Sequence, residues 1–266
     1  MKDLAKRLPT TFFLVLFAYF SIEYIPPAYF SLLLFVIISL AVYEFVRLAN
    51  PVTFSPVIIC LNGLLVSGAF AFPALPLQTV FAAVLILNGL YFLIAVRQPQ
   101  RLESFVRDFG IHFLTVLYLY FPLNFLVELK KRGPHFLFFL IVVIAIGDSG
   151  AYFIGSAFGK HKLYPVASPK KSVEGLLAAV CTAAFSGWLS ILVFPVPVKP
   201  LTAVWSAAVI GLFSQISDPV ESLFKRAANR KDSGVLLPGH GGILDRLDSY
   251  IFCAPLLHFL IAWFWK

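Results

Sequence analysis

Charge is scarce in this 266-residue chain: 13% of its residues are Asp, Glu, Lys or Arg, against 60% that are hydrophobic. That scarcity excludes an ordinary soluble domain and a disordered segment, both of which depend on charge for solvation. Cysteine is nearly missing as well. Cys60, Cys181 and Cys253 stand alone in apolar runs, with neither metal-ligand spacing nor a pairing pattern, which excludes a disulfide scaffold and a thiolate metal site. They read as reduced packing residues. The sequence has no low-complexity tract, long linker or internal repeat, so solenoids and tethered modules are excluded too.

What remains is oil in long stretches, with a mean hydropathy of +0.89. Nine apolar runs can be drawn, at 10–22, 28–46, 56–72, 77–96, 109–127, 134–154, 173–195, 201–217 and 247–265. Most reach the 17 to 25 residues of a spanning helix, so the expected fold is an all-α, polytopic bundle of about nine transmembrane helices. The first run follows Lys6-Arg7 but no small-x-small cleavage site, and reads as an uncleaved helix.

The net charge of +8 comes from 21 Lys and Arg against 13 Asp and Glu. These cations sit in loops at the ends of the runs, so their partner is an anionic membrane surface and not nucleic acid. With nine spans and the N-terminus inside, sixteen of the 21 fall on the cytoplasmic side, as positive-inside loops require. The cluster Lys130-Lys131-Arg132 falls on the other side and is the one conflict in that count. Chemistry is divided unevenly: residues 1–133 read as scaffold helices, and residues 134–266 as a catalytic region with cytosolic loops.

Polar residues in that second half fall into three groups. Asp148 lies inside an apolar run, where an aspartate costs about 3 kcal/mol, so it is expected to face the bundle interior with a cationic partner. Gly155 and Gly159 have the spacing of a close helix contact. Ser168-Pro169-Lys170-Lys171-Ser172 then leads to a helix start, with Ser172 as cap and Glu174 in the first turn; two lysines beside free amides suit a phosphate.

Asp218, Glu221, Ser222, Lys225 and Arg226 follow at i, i+3, i+4, i+7 and i+8, which places two carboxylates, a hydroxyl and two cations on one helical face. The last group runs from Lys231 and Asp232 through His240, Gly241 and Gly242, whose glycine amides can approach an anion, to Asp245, Arg246 and Asp248 at the start of the final run. Two carboxylate pairs on two helices suggest a hard cation with oxygen ligands. Magnesium held by one or two carboxylates with a substrate phosphate points to phosphoryl or nucleotidyl transfer.

The pattern Ser222-x-Phe224-Lys225-Arg226-x4-Lys231-Asp232-x-Gly234-x2-Leu237-Pro238-x-His240-Gly241-Gly242-Ile243-x-Asp245-Arg246-Leu247-Asp248 resembles the diagnostic motif of the phosphatidate cytidylyltransferase (CDP-diacylglycerol synthase) family. Asp148-x-x-Ala151-Tyr152 and Ser168 to Gly175 resemble that family as well, and only the C-terminal half carries the likeness. One departure is Ser217-Asp218-Pro219, where the family commonly has Gly-Asp-Leu. The resemblance implies a nucleotidyltransferase that joins CTP to phosphatidic acid, with Mg2+ as cofactor and a second cation left open. It implies catalytic roles for Asp218, Asp245, Lys225 and Arg246, and metal ligation by Asp218, Asp245, Asp248 and Glu221. Substrate contacts are expected from Asp148, Lys170, Lys171, Ser172, Glu174, Ser222, Arg226, Lys231, Asp232, His240, Gly241 and Gly242.

A CTP-dependent polyprenol or phytol kinase is the nearest alternative, and a membrane transporter the alternative outside enzymes. Against the second, the charges gather at one boundary and not near the midplane of both halves. The expected site is a bacterial inner membrane with the polar loops facing the cytosol. A homodimer is compatible with the sequence.

Overall fold

Proline opens four of the long helices, sitting at the first turn where its missing amide goes unused. The computed structural model describes residues 2–72, 75–237 and 241–265. In chain order the elements are α1 (Lys2–Glu23), α2 (Pro27–Ala49), α3 (Pro56–Ala71), α4 (Leu77–Ala95), α5 (Pro99–Leu102), α6 (Phe105–Arg132) and α7 (Pro134–Phe158). Then come β1 (Lys162–Tyr164), β2 (Ser168–Ser172), α8 (Val173–Val193), α9 (Pro200–Ala227) and α10 (Leu244–Phe264). The protein is an all-α, multi-pass membrane protein, as expected, with one small hairpin added.

Every one of the nine expected runs is helical, but among the described residues seven helices are long and apolar enough to cross a membrane. Thr11–Glu23 and α3 are shorter apolar helices. At 1.5 Å per residue the 16 residues of α3 reach about 24 Å, short of the roughly 30 Å hydrocarbon layer.

The chain divides into two compact units. The first contains Met1–Val127 and a late return of the chain, Asp232–Leu244. Its helices are joined by buried polar pairs, which in lipid have no water to compete for them. Asn88 links Asn62 to His112, and Asn124 donates to Ser67 at 3.0 Å. Asp108 accepts from the Val52 and Thr53 amides at 3.2 and 2.7 Å and so holds the α2–α3 connection. In the middle of α6, residues Thr115–Tyr120 form a π-helical stretch. Tyr120 from this stretch meets Ser39 at 2.9 Å, and its ring lies where any side chain at Gly63 would go.

The second unit contains Glu128–Lys231 and Asp245–Lys266. Here α7, α8 and α9 pack through small residues: Gly150 faces Thr182, Gly211 faces Ala183, and Gly187 faces Ala203 and Ala207. Gly155 and Gly159 belong to the same seam, as their spacing suggests, since a methyl on Gly155 would lie 3.4 Å from the Gly175 Cα. The hairpin β1–β2 is antiparallel, with Lys162 opposite Ser172 and Tyr164 opposite Ser168. Ser172 therefore ends a strand and caps a helix at once.

Candidate active site

The start of α8 forms as the sequence suggests: Ser172 is extended, and its Oγ accepts from the Gly175 amide at 3.1 Å. Lys170 and Lys171 lie on β2, Lys170 exposed and Lys171 turned toward α9. Glu174 is engaged within the chain. It accepts from the Lys160 and His161 amides and meets His161 Nδ1 at 2.6 Å, fastening the chain between α7 and β1.

Helix α9 continues unbroken through Pro219 and carries one polar face. Asp218, Glu221 and, from α10, Asp248 each place a carboxylate oxygen within 4.8 Å of the other two. Glu221 is fully buried, and its Oε1 has no hydrogen-bond partner among the described residues. Ser217 Oγ donates to the Asp248 carbonyl, which ties α9 to α10 at this level. Ser222 Oγ approaches Asp218 Oδ1 at 3.4 Å.

Two lysines close the cluster. Lys171 Nζ lies 2.9 Å from Asp218 Oδ2. Lys225, 7% exposed, bridges Glu221 Oε2 and Asp245 Oδ1, the latter at 2.7 Å. Asp245 thus faces a lysine while Asp248 joins the acidic trio. A buried ammonium between two carboxylates has its charge compensated by geometry, as burial demands. Arg226 is exposed and donates to the Arg230 carbonyl at 3.1 Å; Arg246 and Lys231 are exposed also.

Asp148 meets a neutral side chain first. Among the described residues it makes no ion pair, and it accepts from the neutral amide of Gln215 at 2.6 Å. Gln215 carries no motif signal of its own, being an ordinary polar residue one turn before Asp218.

Asp232, Gly241 and Gly242 belong to the first unit; His240 lies outside the described residues. Gly241 has φ +80°, a conformation that favours glycine, and its carbonyl accepts from the Leu237 amide at 3.0 Å. The anion set against Gly242 is the chain's own. Glu44 of α2, 2% exposed, accepts from Ser233 Oγ at 3.0 Å and from the Leu244 amide at 2.9 Å. Its place near the end of an apolar run suggests scaffold, and a partner some 200 positions away leaves no local signal.

The sequence profile of the cytidylyltransferase family matches residues 5–264. Among curated relatives, phosphatidate cytidylyltransferase of Bacillus subtilis is 39% identical over 160 residues, covering 59% of this chain and 60% of the relative. Its counterpart in Staphylococcus saprophyticus is 40% identical over 159 residues, covering 58% and 59%. The alignments therefore span about three fifths of the relatives' own lengths.

Proposed function

This chain belongs to the cytidylyltransferase family, and we propose that it joins CTP to phosphatidic acid, giving CDP-diacylglycerol and pyrophosphate. The single observation that carries the reading is the acidic trio Asp218, Glu221 and Asp248 with Lys171 and Lys225 at its edge.

In this reaction a phosphate oxygen of phosphatidic acid forms a bond to the α-phosphorus of CTP, and the bond from that phosphorus to the pyrophosphate oxygen breaks. The nucleophile is already anionic, so no general base has to remove a proton. The residues have two tasks: gathering several phosphate charges and aligning them. Lys170, Lys171, Lys225, Arg226, Lys231 and Arg246 supply the cations, and Gln215 fixes Asp148 beside them. A hard cation suits the trio on two grounds, the convergence of three carboxylates and the unpartnered, buried Oε1 of Glu221. Asp218, Glu221 and Asp248 would hold it, and Mg2+ is the ion proposed. Bound there, it supplies neutralisation of nucleotide phosphate charge. The excess of basic residues in the loops on this side supports a cytosolic active site in a bacterial inner membrane.

The test uses the detergent-purified protein with labelled CTP, phosphatidic acid and magnesium. Labelled liponucleotide with pyrophosphate is the expected product, and chelation of magnesium abolishes it. Asp218→Asn and Asp248→Asn are each expected to lower turnover by at least about 100-fold, beyond the usual range for residues that act through a ligand's neighbours. Release of CDP with phosphorylation of a lipid alcohol would make the protein a lipid kinase instead.

A further inference from the structure

We infer that Glu44 is a positioning residue, which shapes the loop 232–244 from beneath, and that Gly234 and Gly242 are glycine because its carboxylate lies against them. One carboxylate grips both ends of the loop, since its Oε2 accepts from Ser233 near the beginning and from Leu244 at the end. The Leu244 amide is one of the free donors at the start of α10, so Glu44 performs in trans what a capping side chain does locally. Beside these two anchors, the backbone at Gly234 and at Gly242 passes close over the carboxylate. A methyl on Gly234 would lie 2.2 Å from Glu44 Oε1, and one on Gly242 would lie 2.3 Å from Oε2. A side chain at either position would have to push the carboxylate from its place, and at Gly242 the Ser233 hydroxyl as well.

A buried carboxylate is tolerated only where donors satisfy it. Here the donors come from the segment that carries Asp232, Gly241 and Gly242 and continues directly into Asp245. Losing Glu44 frees that segment without touching a substrate atom. The kinetic side of this inference rests on the cytidylyltransferase reading; the contact itself does not.

A double-mutant cycle of Glu44 and Gly234 separates the two, because the three atoms nearest a methyl on Gly234 all belong to Glu44. Gly234→Ala is expected to lower kcat/KM for CTP at least about 10-fold in the native background, and less than about twofold when Glu44→Ala has removed the carboxylate. Glu44→Ala alone lowers kcat/KM and speeds trypsin cleavage after Arg230 and Lys231. Glu44→Gln keeps an acceptor of the same size and restores most of both properties. If Glu44→Ala cannot be purified, Glu44→Ser, which also withdraws the carboxylate, serves as the second background, where Gly234→Ala is again expected to cost less than about twofold.

Equal losses from Gly234→Ala with and without the Glu44 carboxylate would overturn the inference, since the glycine would then answer to a ligand. Unchanged kcat/KM and cleavage rate in Glu44→Ala would do the same. Should the native protein form no liponucleotide, the proposed activity falls, and the cycle read in melting temperature still decides whether Glu44 and Gly234 are coupled.

Discussion

Lys225 shows how much a single residue holds in a chain so poor in charge. Its ammonium is shared by Glu221 and Asp245, on two helices, with almost no access to solvent. Removing one member of such a buried set leaves the others uncompensated, at a cost of about 3–5 kcal/mol. Lys225→Met is therefore expected to melt well below the native protein in detergent, and Asp245→Asn less so, because Glu221 keeps its partner. Thermal denaturation of the two variants side by side checks the order. The sequence places Lys225 on the right face, since helical spacing alone aligns it with Asp218 and Glu221. It cannot say that Asp245 faces the lysine while Asp248 faces the carboxylates, because that choice depends on the rotation of α10 against α9. Gln215 and Glu44 are hidden for a similar reason: their roles come from partners distant in the chain.

Among the elements, the helices are legible and the exceptions are not. All nine apolar runs declare themselves by length and hydropathy, and proline marks several of their starts. The hairpin β1–β2 has no alternating pattern, as Ser168-Pro169-Lys170-Lys171-Ser172 contains no apolar residue at all. The π-helical stretch in α6, which ends with Tyr120 over Gly63, is equally silent. Close packing makes its own prediction. Alanine normally stabilises a helix relative to glycine by about 1 kcal/mol, and Gly68→Ala, with no atom within 4 Å of its new methyl, should follow that rule. At Gly187 the methyl would meet Ala207 Cβ at 2.4 Å and the Ala203 carbonyl at 2.8 Å. Gly187→Ala should therefore act with the opposite sign, destabilising by about 1–3 kcal/mol as α8 is pushed from α9. Melting temperatures of the two variants test this.

At the level of the whole molecule, orientation in the membrane follows from counting spans. Three membrane-length helices, α7, α8 and α9, lie between Lys131 and Arg230. An odd number of crossings puts these residues on opposite faces, whether or not α1 and α3 cross. In a background without the native cysteines, Lys131→Cys should react with an impermeant maleimide from outside the cell. Arg230→Cys should react only in inverted vesicles. Labelling of both from one side would mean that one of the three helices does not cross, and the positive-inside count would have to be redrawn.

The grip of Glu44 on Ser233 and Leu244 also sets a schedule for synthesis. The second helix leaves the ribosome early, yet both donors to its carboxylate are encoded about 190 to 200 residues later. At 5–20 residues per second that interval is roughly 10–40 s. Throughout it, a carboxylate embedded in an apolar helix waits without the two groups that will satisfy it. A chain stopped at Lys231 carries Glu44 with neither, so α2 is made long before its surroundings are finished.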